Sequence, residues 1–308
     1  MNRITLCALV SATALLAEAT AALAAAAPAP AAPNFAAVQI KATDLGHRTW
    51  MLEGQGGNMT VIAGDDGVIL VDTEFAPLHD KIKAAIAEVS KQPVRYVVNT
   101  HFHGDHTGGN QGFWLDGATV VATSNLRKTL AEGSTNMLTG AKTPPAPQGA
   151  LPGRTYTGAT TVAVKGRRVQ LVAMPHAHTG GDTAVFVTDA NVIATGDIVS
   201  TGMRYPNIDV ADAGDIDGII AAVDTYLKRS NAQTKIVPGH GALMTRPELA
   251  AYRKLLADAR EAVRRAKAAG MTEDQVVEAK LLADVQTRAG ANDMASANFA
   301  RLIYRSVG

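Results

Sequence analysis

Apolar residues recur along this chain in two patterns, short strand-like runs and longer helix-like runs. Short runs of β-branched and apolar residues bounded by Gly, Pro, Asn or Asp are typical of buried strands. They predict strands at 37–41, 49–52, 58–62, 68–72, 94–99, 118–123, 161–164, 169–174, 184–187, 192–195 and 235–237. Apolar residues at helical spacing predict helices at 77–90, 125–132 and 215–229. Strands and helices follow a similar order in both halves, so the sequence predicts an α/β protein.

The last part of the chain has a purely helical pattern. It is strongly helical from Arg246 to residue 269, and Thr272 then provides a cap for a further helix with an acidic first turn. We expect the helices of residues 246–308 to pack on the domain that residues 37–245 form. A stretch rich in Gly, Thr and Pro at 133–158 interrupts the pattern earlier. A loop of that length is usually a functional flap or a mobile segment.

The N-terminal residues resemble a targeting segment rather than part of the fold. One basic residue is followed by an apolar run and by small residues that offer Ala-x-Ala cleavage sites, as in a secretory signal peptide. We therefore expect residues 1–27 to be a signal peptide, cleaved near 24–27, and the mature protein to be periplasmic or secreted. The alternative is an uncleaved N-terminal anchor. Residues 28–36 are an Ala/Pro-rich linker.

Composition and charge limit the partners of this chain. Its 308 residues carry a formal net charge of +1, and so balanced a charge gives no reason to expect a nucleic acid. We expect a small-molecule substrate and no stable membrane association after leader cleavage, while the oligomeric state stays open. Cys7 is the only cysteine. Cleavage of the leader would remove it, which excludes a thiolate metal ligand in the mature protein.

Four candidate metal ligands follow the predicted strand 94–99. His101 and His103 alternate and therefore point to the same side of an extended segment, while Asp105 and His106 come after the Gly104 turn. Open α/β sheets place their chemistry beyond the carboxyl ends of strands. Nitrogen and oxygen ligands at two adjacent points suit zinc or a similar transition metal. The alternative is a loop of surface histidines.

The segment His-Phe-His-Gly-Asp-His at 101–106 resembles the HxHxDH signature of the metallo-β-lactamase fold superfamily. The resemblance extends from about Val38 to the helix after His240. It implies an αββα four-layer sandwich, here with a C-terminal helical extension.

The resemblance also implies the other ligands. His178 matches the third ligand of the first metal, with His176 as the competing choice, and His240 matches the last ligand of the second metal. Asp197 lies where members similar to glyoxalase II have a carboxylate that bridges both metals. Asp72 lies behind the site in relatives, so it should support the loop or a ligand histidine; a strand-end turn is the alternative. The implied set is His101, His103 and His178 for one metal, Asp105, His106 and His240 for the other, and Asp197 between them.

This ligand set implies hydrolysis by a metal-activated water. Two cations, expected to be Zn²⁺ with Fe or Mn as alternatives, can lower the pKa of a bridging water to near neutrality. The sequence contains no Gly-x-Ser-x-Gly motif and no evident Ser-His or Cys-His pair. We therefore expect direct attack by a metal-bridging hydroxide, with Asp105 orienting the water and passing its proton to the leaving group.

The expected function is an exported dizinc hydrolase that cleaves an amide, lactam or ester-type bond. Lactamases with a Cys on the second zinc are excluded, because Asp197 holds that position. A glyoxalase II-like thioester hydrolase, a diiron redox protein and a non-catalytic metal-binding module stay open as alternatives. Arg204 is a candidate to hold a substrate carboxylate, with solvent exposure as the alternative. The expected pocket wall consists of Met203, Arg204, Tyr205 and Asn207.

Overall fold

The computed structural model describes residues 34–201 and 205–307 of the chain. The predicted signal peptide, most of the predicted linker and the pocket candidates Met203 and Arg204 lie outside the described residues. The strands, in chain order, are β1 (Lys41–Gly46), β2 (Thr49–Glu53), β3 (Met59–Ala63), β4 (Val68–Val71), β5 (Val94–Val98), β6 (Thr119–Thr123), β7 (Ser134–Thr135), β8 (Lys142–Thr143), β9 (Arg154–Tyr156), β10 (Ala159–Val164), β11 (Arg167–Met174), β12 (Asp182–Val187), β13 (Val192–Ala194) and β14 (Lys235–Val237).

The helices, also in chain order, are α1 (His79–Val89), α2 (Gly104–Thr107), α3 (Asn110–Leu115), α4 (Ser124–Glu132), α5 (Ile216–Arg229), α6 (Arg246–Ala268), α7 (Glu273–Glu278), α8 (Ala283–Ala289) and α9 (Asp293–Ser306). Their ends follow local capping chemistry. Asp215 accepts backbone hydrogen bonds at the start of α5, and Thr245 and Glu248 form a reciprocal capping box at the start of α6.

Most of the strands form two mixed sheets. The first has the order β1-β2-β3-β4-β5-β6-β9, in which β1 to β4 pair antiparallel and β4, β5, β6 and β9 pair parallel. The second has the order β10-β11-β12-β13-β14, antiparallel except for the last pair. A short ribbon pairs β7 with β8. The strands β11, β13 and β14 therefore run in the same direction.

The two sheets pack face to face, and helices cover both outer faces. Val98 of β5 belongs to the core between the sheets, whereas Val97 packs outward with helix residues Ile82 and Phe113. Both faces of the C-terminal end of β5 are thus buried, which explains why consecutive residues there are apolar. On the far side, α5 and α6 cover the second sheet, as Val223 and Leu256 show. The predicted αββα sandwich is confirmed.

The C-terminal helices extend the outer layer of the second sheet. Phe299 and Ile303 of α9 and Val276 of α7 are buried in the same apolar cluster as α5 and α6. Burial of one such side chain stabilises a fold by about 1.5–3 kcal/mol. Among the described residues, no helix is both long enough and apolar enough to span a membrane.

Two local predictions were wrong. The first strand begins at Lys41 rather than residue 37, and residues Phe35–Ala37 form a 3-10 turn in which Phe35 packs with Phe75. The alternating Val38 and Ile40 pack against the outer apolar cluster instead of pairing in the sheet. The stretch 133–158 is also not a plain loop, because it contains the β7–β8 ribbon and strand β9.

Candidate metal centre

The ligand candidates lie at the carboxyl ends of strands from both sheets. The loop after β5 carries His101 to His106, while His178 follows β11, Asp197 follows β13 and His240 follows β14. Each of these strands ends at the same edge of the sandwich, which brings residues distant in sequence together. The side chains form two groups that could each hold a metal ion.

The first group consists of three histidines and one carboxylate. Nε2 of His178 lies 3.0 Å from Nδ1 of His103. Oδ2 of Asp197 lies 3.8 Å from Nε2 of both His101 and His178. These ring nitrogens and the carboxylate oxygen therefore converge on one point, as the ligands of a single cation do.

The second group consists of Asp105, His106 and His240. Nε2 of His240 lies 3.4 Å from Nε2 of His106 and 3.3 Å from Oδ2 of Asp105. Asp197 also reaches this group, with carboxylate oxygens 3.2 Å from Nε2 of His106 and 3.3 Å from Nε2 of His240. Its carboxylate therefore lies between the two groups.

The residues fit two metal ions. Nε2 of His101 is buried and has no hydrogen-bond partner among the described residues. A buried polar atom without a partner is costly, and a cation in the first group would satisfy it. Imidazole nitrogens with carboxylate oxygens are a donor set that transition metals bind. The two His/Asp clusters thus constitute a candidate dinuclear metal site.

The remaining ring nitrogens are held by neighbouring groups. Nδ1 of His101 lies 3.1 Å from Oγ1 of Thr100, and Nδ1 of His178 lies 2.9 Å from the Asn207 carbonyl. Nε2 of His103 lies 3.0 Å from Oδ2 of Asp209. Such contacts fix the orientation and tautomer of metal-binding histidines.

Asp72 lies directly behind the metal loop. It is buried, and its carboxylate accepts hydrogen bonds from the backbone N–H of Thr100 at 2.7 Å and from its hydroxyl at 2.6 Å. The same carboxylate lies 2.9 Å from Nδ1 of His106. Asp72 adopts a left-handed backbone conformation with φ +61°, which suits the sharp turn after β4. It therefore supports both the loop and one histidine.

Burial keeps two histidines of the first group, His101 and His178, neutral. It lowers the pKa of His178 to about 4 and holds the pKa of His101 well below its ordinary value, an effect that neighbouring His106 strengthens for His101. Neutral imidazole is the form that binds a metal, because the lone pair is free.

Negative charge dominates the second group. Burial opposes protonation of His106, but the carboxylates of Asp197 and Asp72 outweigh it and raise the pKa of His106 well above its ordinary value. Burial is likewise outweighed at His240, where hydrogen bonds to Asp105 and Asp197 raise the pKa to about 9. The carboxylates here thus attract positive charge, which a metal ion would supply.

A glycine-rich loop, residues 54–58, covers the second group. The N–H of Gly56 donates to the buried carboxylate of Glu74 at 2.7 Å, and the N–H of Gly57 donates to the Asp105 carbonyl at 3.1 Å. Asn58 then reaches the loop that carries His240, with its N–H 2.7 Å from the Gly239 carbonyl. A Cβ at Gly57 would overlap the ring of His106. The loop therefore connects the two segments that carry the second group.

The structure brings together all seven ligand candidates, whereas His176 and Tyr205 make their contacts elsewhere. His176 is exposed, and its Nδ1 lies 3.2 Å from the Ala213 carbonyl. Tyr205 does not face the metal groups as an exposed pocket wall would: it is buried, stacks on Phe299 and shares a hydrogen bond with Ser296. Asn207 contributes its carbonyl to His178.

The sequence reasoning missed Asp209, Glu74 and the role of Gly57. Asp209 and Glu74 are single acids with no motif around them, and Gly57 is one of many glycines. Glu74 alone could have been suspected from the sequence, because it lies two residues after Asp72, which was predicted to support the site.

The fold and the site together define a sandwich of two mixed sheets with an intact His/Asp metal site at one edge. The family model described as "Metallo-beta-lactamase superfamily" matches residues 52–250. The chain therefore belongs to the metallo-β-lactamase superfamily, and its two His/Asp clusters could each hold a metal ion.

Curated relatives match only parts of the chain. The "2,4-dinitroanisole O-demethylase subunit alpha" of Nocardioides sp. (strain JS1661) is 28% identical over 162 residues, which are 51% of this chain and 46% of that protein. The "Alkyl/aryl-sulfatase BDS1" of Saccharomyces cerevisiae is 39% identical over 57 residues, 18% of this chain and 9% of that protein. The matched stretch thus spans less than half the length of each relative.

Solved structures share the fold at low identity. A metallo-β-lactamase from Pontibacter korlensis has a TM-score of 0.58 and 20% identity, covering 71% of this chain and 100% of that chain. The inverting sec-alkylsulfatase Pisa1 from Pseudomonas sp. has a TM-score of 0.66 and 16% identity, covering 86% of this chain and 50% of that chain. Proteins with this fold therefore include β-lactamases and sulfatases.

Proposed function

We propose that this protein is an exported dizinc hydrolase that cleaves an amide, lactam or ester-type bond. The observation that carries the proposal is the pair of metal groups with Asp197 between them. The site is also accessible, because the side chains of His103, Asp105 and His240 are 25%, 26% and 22% exposed. A small substrate can therefore approach both groups from one side.

Zinc is the metal that the donor set favours, with Fe or Mn as alternatives. His101, His103 and His178 would hold one ion, Asp105, His106 and His240 the other, and Asp197 would bridge them. Borderline imidazole and carboxylate donors without a thiolate suit all three metals, and Zn²⁺ is the one that hydrolases of this donor type use most. When bound, two such cations would supply a water of near-neutral pKa and polarise the scissile bond.

Asp105 is the residue best placed to handle the proton. Burial raises the pKa of its carboxyl, but the hydrogen bond from His240 and the charge on His106 outweigh burial and hold it below its ordinary value. Asp105 is therefore ionised near neutral pH, and the carboxylate oxygen that does not face the second group can accept a proton. Its partial exposure allows that proton to pass to a leaving group.

We expect two zinc ions per chain in the purified protein, measured by elemental analysis after removal of loosely bound metal. His240→Ala should release the second ion more readily than the first, because three protein histidines and Asp197 still hold the first. His176→Ala is the matched control, since His176 is an exposed histidine outside both groups, and it should retain two ions. Well-folded protein that never binds more than one ion would contradict the dinuclear assignment.

The substrate class can be assigned with chromogenic substrates. The zinc-loaded protein should hydrolyse at least one member of a panel of lactam, carboxylic ester, lactone and thioester substrates, and chelation of the metal should abolish the activity. A thioester-only profile would favour the glyoxalase II-like alternative. Redox activity with bound iron, and no hydrolysis of any panel member, would favour the diiron alternative.

Sulfate-ester hydrolysis is a second candidate. The short match to a yeast alkyl/aryl-sulfatase supports it, since this stretch is 39% identical. A sulfate monoester such as p-nitrophenyl sulfate, added to the same panel, separates the two candidates. Preference for the sulfate ester over every carboxylic substrate would make sulfatase activity the better description.

We also propose that the protein is exported to the periplasm or secreted. Residues 1–27 support this because they combine a basic start, an apolar run and Ala-x-Ala sites. We expect the soluble protein from its native host to lack about the first 24–27 residues, as intact-mass spectrometry would measure. Soluble protein that keeps Met1 or Asn2 as its first residue would contradict export by cleavage.

A further inference from the structure

A cavity of about 730 Å³ has Asp209 in its wall, and this residue connects it to His103 of the first metal group. Helix α4 forms one wall, the β7–β8 ribbon forms another, and the turn at 209–212 closes the inner end. Asp209 belongs to this inner wall, and its Oδ2 lies 3.0 Å from Nε2 of His103. A molecule in the cavity would therefore lie next to Asp209, which separates it from His103 of the first metal group.

Acidic residues of the inner wall are already engaged by protein donors. Asp209 interacts with His103, and the carboxylate of Asp212 accepts hydrogen bonds from the Thr129 hydroxyl at 2.7 Å and from the Gly180 N–H at 3.1 Å. Both carboxylates thus already have protein donors, which reduce their attraction for a positively charged ligand. Glu132 is the remaining acid on the wall, and it is exposed at the C-terminal end of α4.

Positive charge on the wall is, by contrast, unused. Lys128 of α4 and Lys142 of β8 both line the cavity and are exposed, and neither ammonium group makes an ion pair or a hydrogen bond within the described ranges 34–201 and 205–307. Asn125 and Thr143 add neutral polar groups that can donate hydrogen bonds to an oxyanion. Two ammonium groups and such donors favour an anionic ligand.

We propose that this cavity is a subsite that binds an anionic group of the substrate, a carboxylate or sulfate, through Lys128 and Lys142. The proposal rests on the proposed hydrolase function, because the subsite would hold one end of the molecule while the scissile bond lies at the metal groups. It also gives the ribbon of the 133–158 segment a role, since the ribbon supplies Lys142.

A matched pair of esters tests the charge preference. Mono-p-nitrophenyl glutarate and p-nitrophenyl pentanoate have acyl chains of equal length, but only the first carries a terminal carboxylate. The zinc-loaded enzyme should show the lower KM for the glutarate ester. Lys128→Met and Lys142→Met should each raise that KM by roughly two- to five-fold, the range expected for exposed charge pairs, with kcat and the KM of the pentanoate ester unchanged.

Glu132→Gln provides a test of opposite sign. Removal of this negative charge from the wall should lower the KM for the glutarate ester by roughly two-fold, through the same exposed-charge electrostatics. Lys91→Met is the matched lysine control, because Lys91 is exposed and lies outside the cavity wall. Equal KM values for both esters in the wild type and in every lysine variant would overturn the subsite.

A binding experiment separates failure of the subsite from failure of the proposed function. Glutarate binding to the metal-loaded protein is measured by calorimetry with the wild type and the Lys128→Met/Lys142→Met double variant. If neither ester is hydrolysed but the double variant binds glutarate about ten-fold more weakly, the subsite stands and ester hydrolysis fails. If both proteins bind glutarate equally, the subsite is wrong whatever the enzyme hydrolyses. Replacing glutarate by inorganic sulfate distinguishes a sulfate preference from a carboxylate preference.

Discussion

Replacement of Asp197 by Asn should weaken binding of the second metal ion and reduce turnover by about 10–100-fold, the range typical of damaged metal sites. The carboxylate lies within 3.3 Å of Nε2 of both His106 and His240 and within 3.8 Å of Nε2 of His101. It is buried, and although burial opposes its ionisation, the charge on His106 and hydrogen bonds from His106 and His240 hold its pKa well below the ordinary value. Asp197 therefore places a full negative charge between the two groups.

Asparagine would keep the shape of this side chain but remove the charge. A neutral amide oxygen is a poorer ligand for a dication, so the second ion should dissociate first. Chelator competition measures the two metal affinities separately, and excess zinc should restore part of the lost turnover. Asp80→Asn is a suitable control, because the Asp80 side chain is 96% exposed. Two tightly bound ions and full turnover in Asp197→Asn would show that Asp197 is only a turn residue.

Local strand and helix signals predicted an α/β protein, and the resemblance of residues 101–106 to the superfamily signature supplied the four-layer sandwich. The end of strand β5 is buried on both faces by the apolar Val97 and Val98, and the ligand loop follows directly after it. The motifs around His178, Asp197 and His240 follow strands in the same way. The sequence thus places each ligand candidate at the end of a strand, and the role of each candidate as a metal ligand stays a prediction.

The errors arose where contacts distant in sequence decide the structure. Val38 and Ile40 alternate as strand residues do, yet they pack on the outer apolar cluster. Strand β9 is short and lies in a stretch rich in Gly and Pro, so intrinsic propensity does not explain it. The strand forms because it pairs with β6. Asp209 was missed for the same reason, since its partner His103 belongs to another loop.

Gly57→Ala should disturb the second metal group although residue 57 is not a metal-ligand candidate. A Cβ at this position would lie 2.6 Å from Nδ1 of His106 and closer still to Nε2 and Cε1. The ring cannot move away freely, because it is buried and its Nδ1 is held by Asp72 at 2.9 Å. The loop cannot retreat freely either, since its backbone N–H groups donate to Glu74, Asp105 and Gly239.

The overlap must therefore displace His106, the loop or both. We expect the affinity for the second ion to fall by about 10–100-fold, as when residues supporting a metal ligand are altered, while the first ion stays bound. Competition with a chelator and elemental analysis measure this without any substrate. Turnover on any substrate found should fall together with occupancy of the second group.

Gly104→Ala is the matched control, and it makes the test specific. Gly104 lies in the metal loop itself, between His103 and Asp105, but a Cβ there would meet nothing within 4 Å. It begins α2, where alanine is favourable. Both variants add the same methyl group close to the same ligands, so only steric overlap with His106 separates them. Equal metal affinities in the two variants would mean that the glycine-rich loop does not set the position of His106.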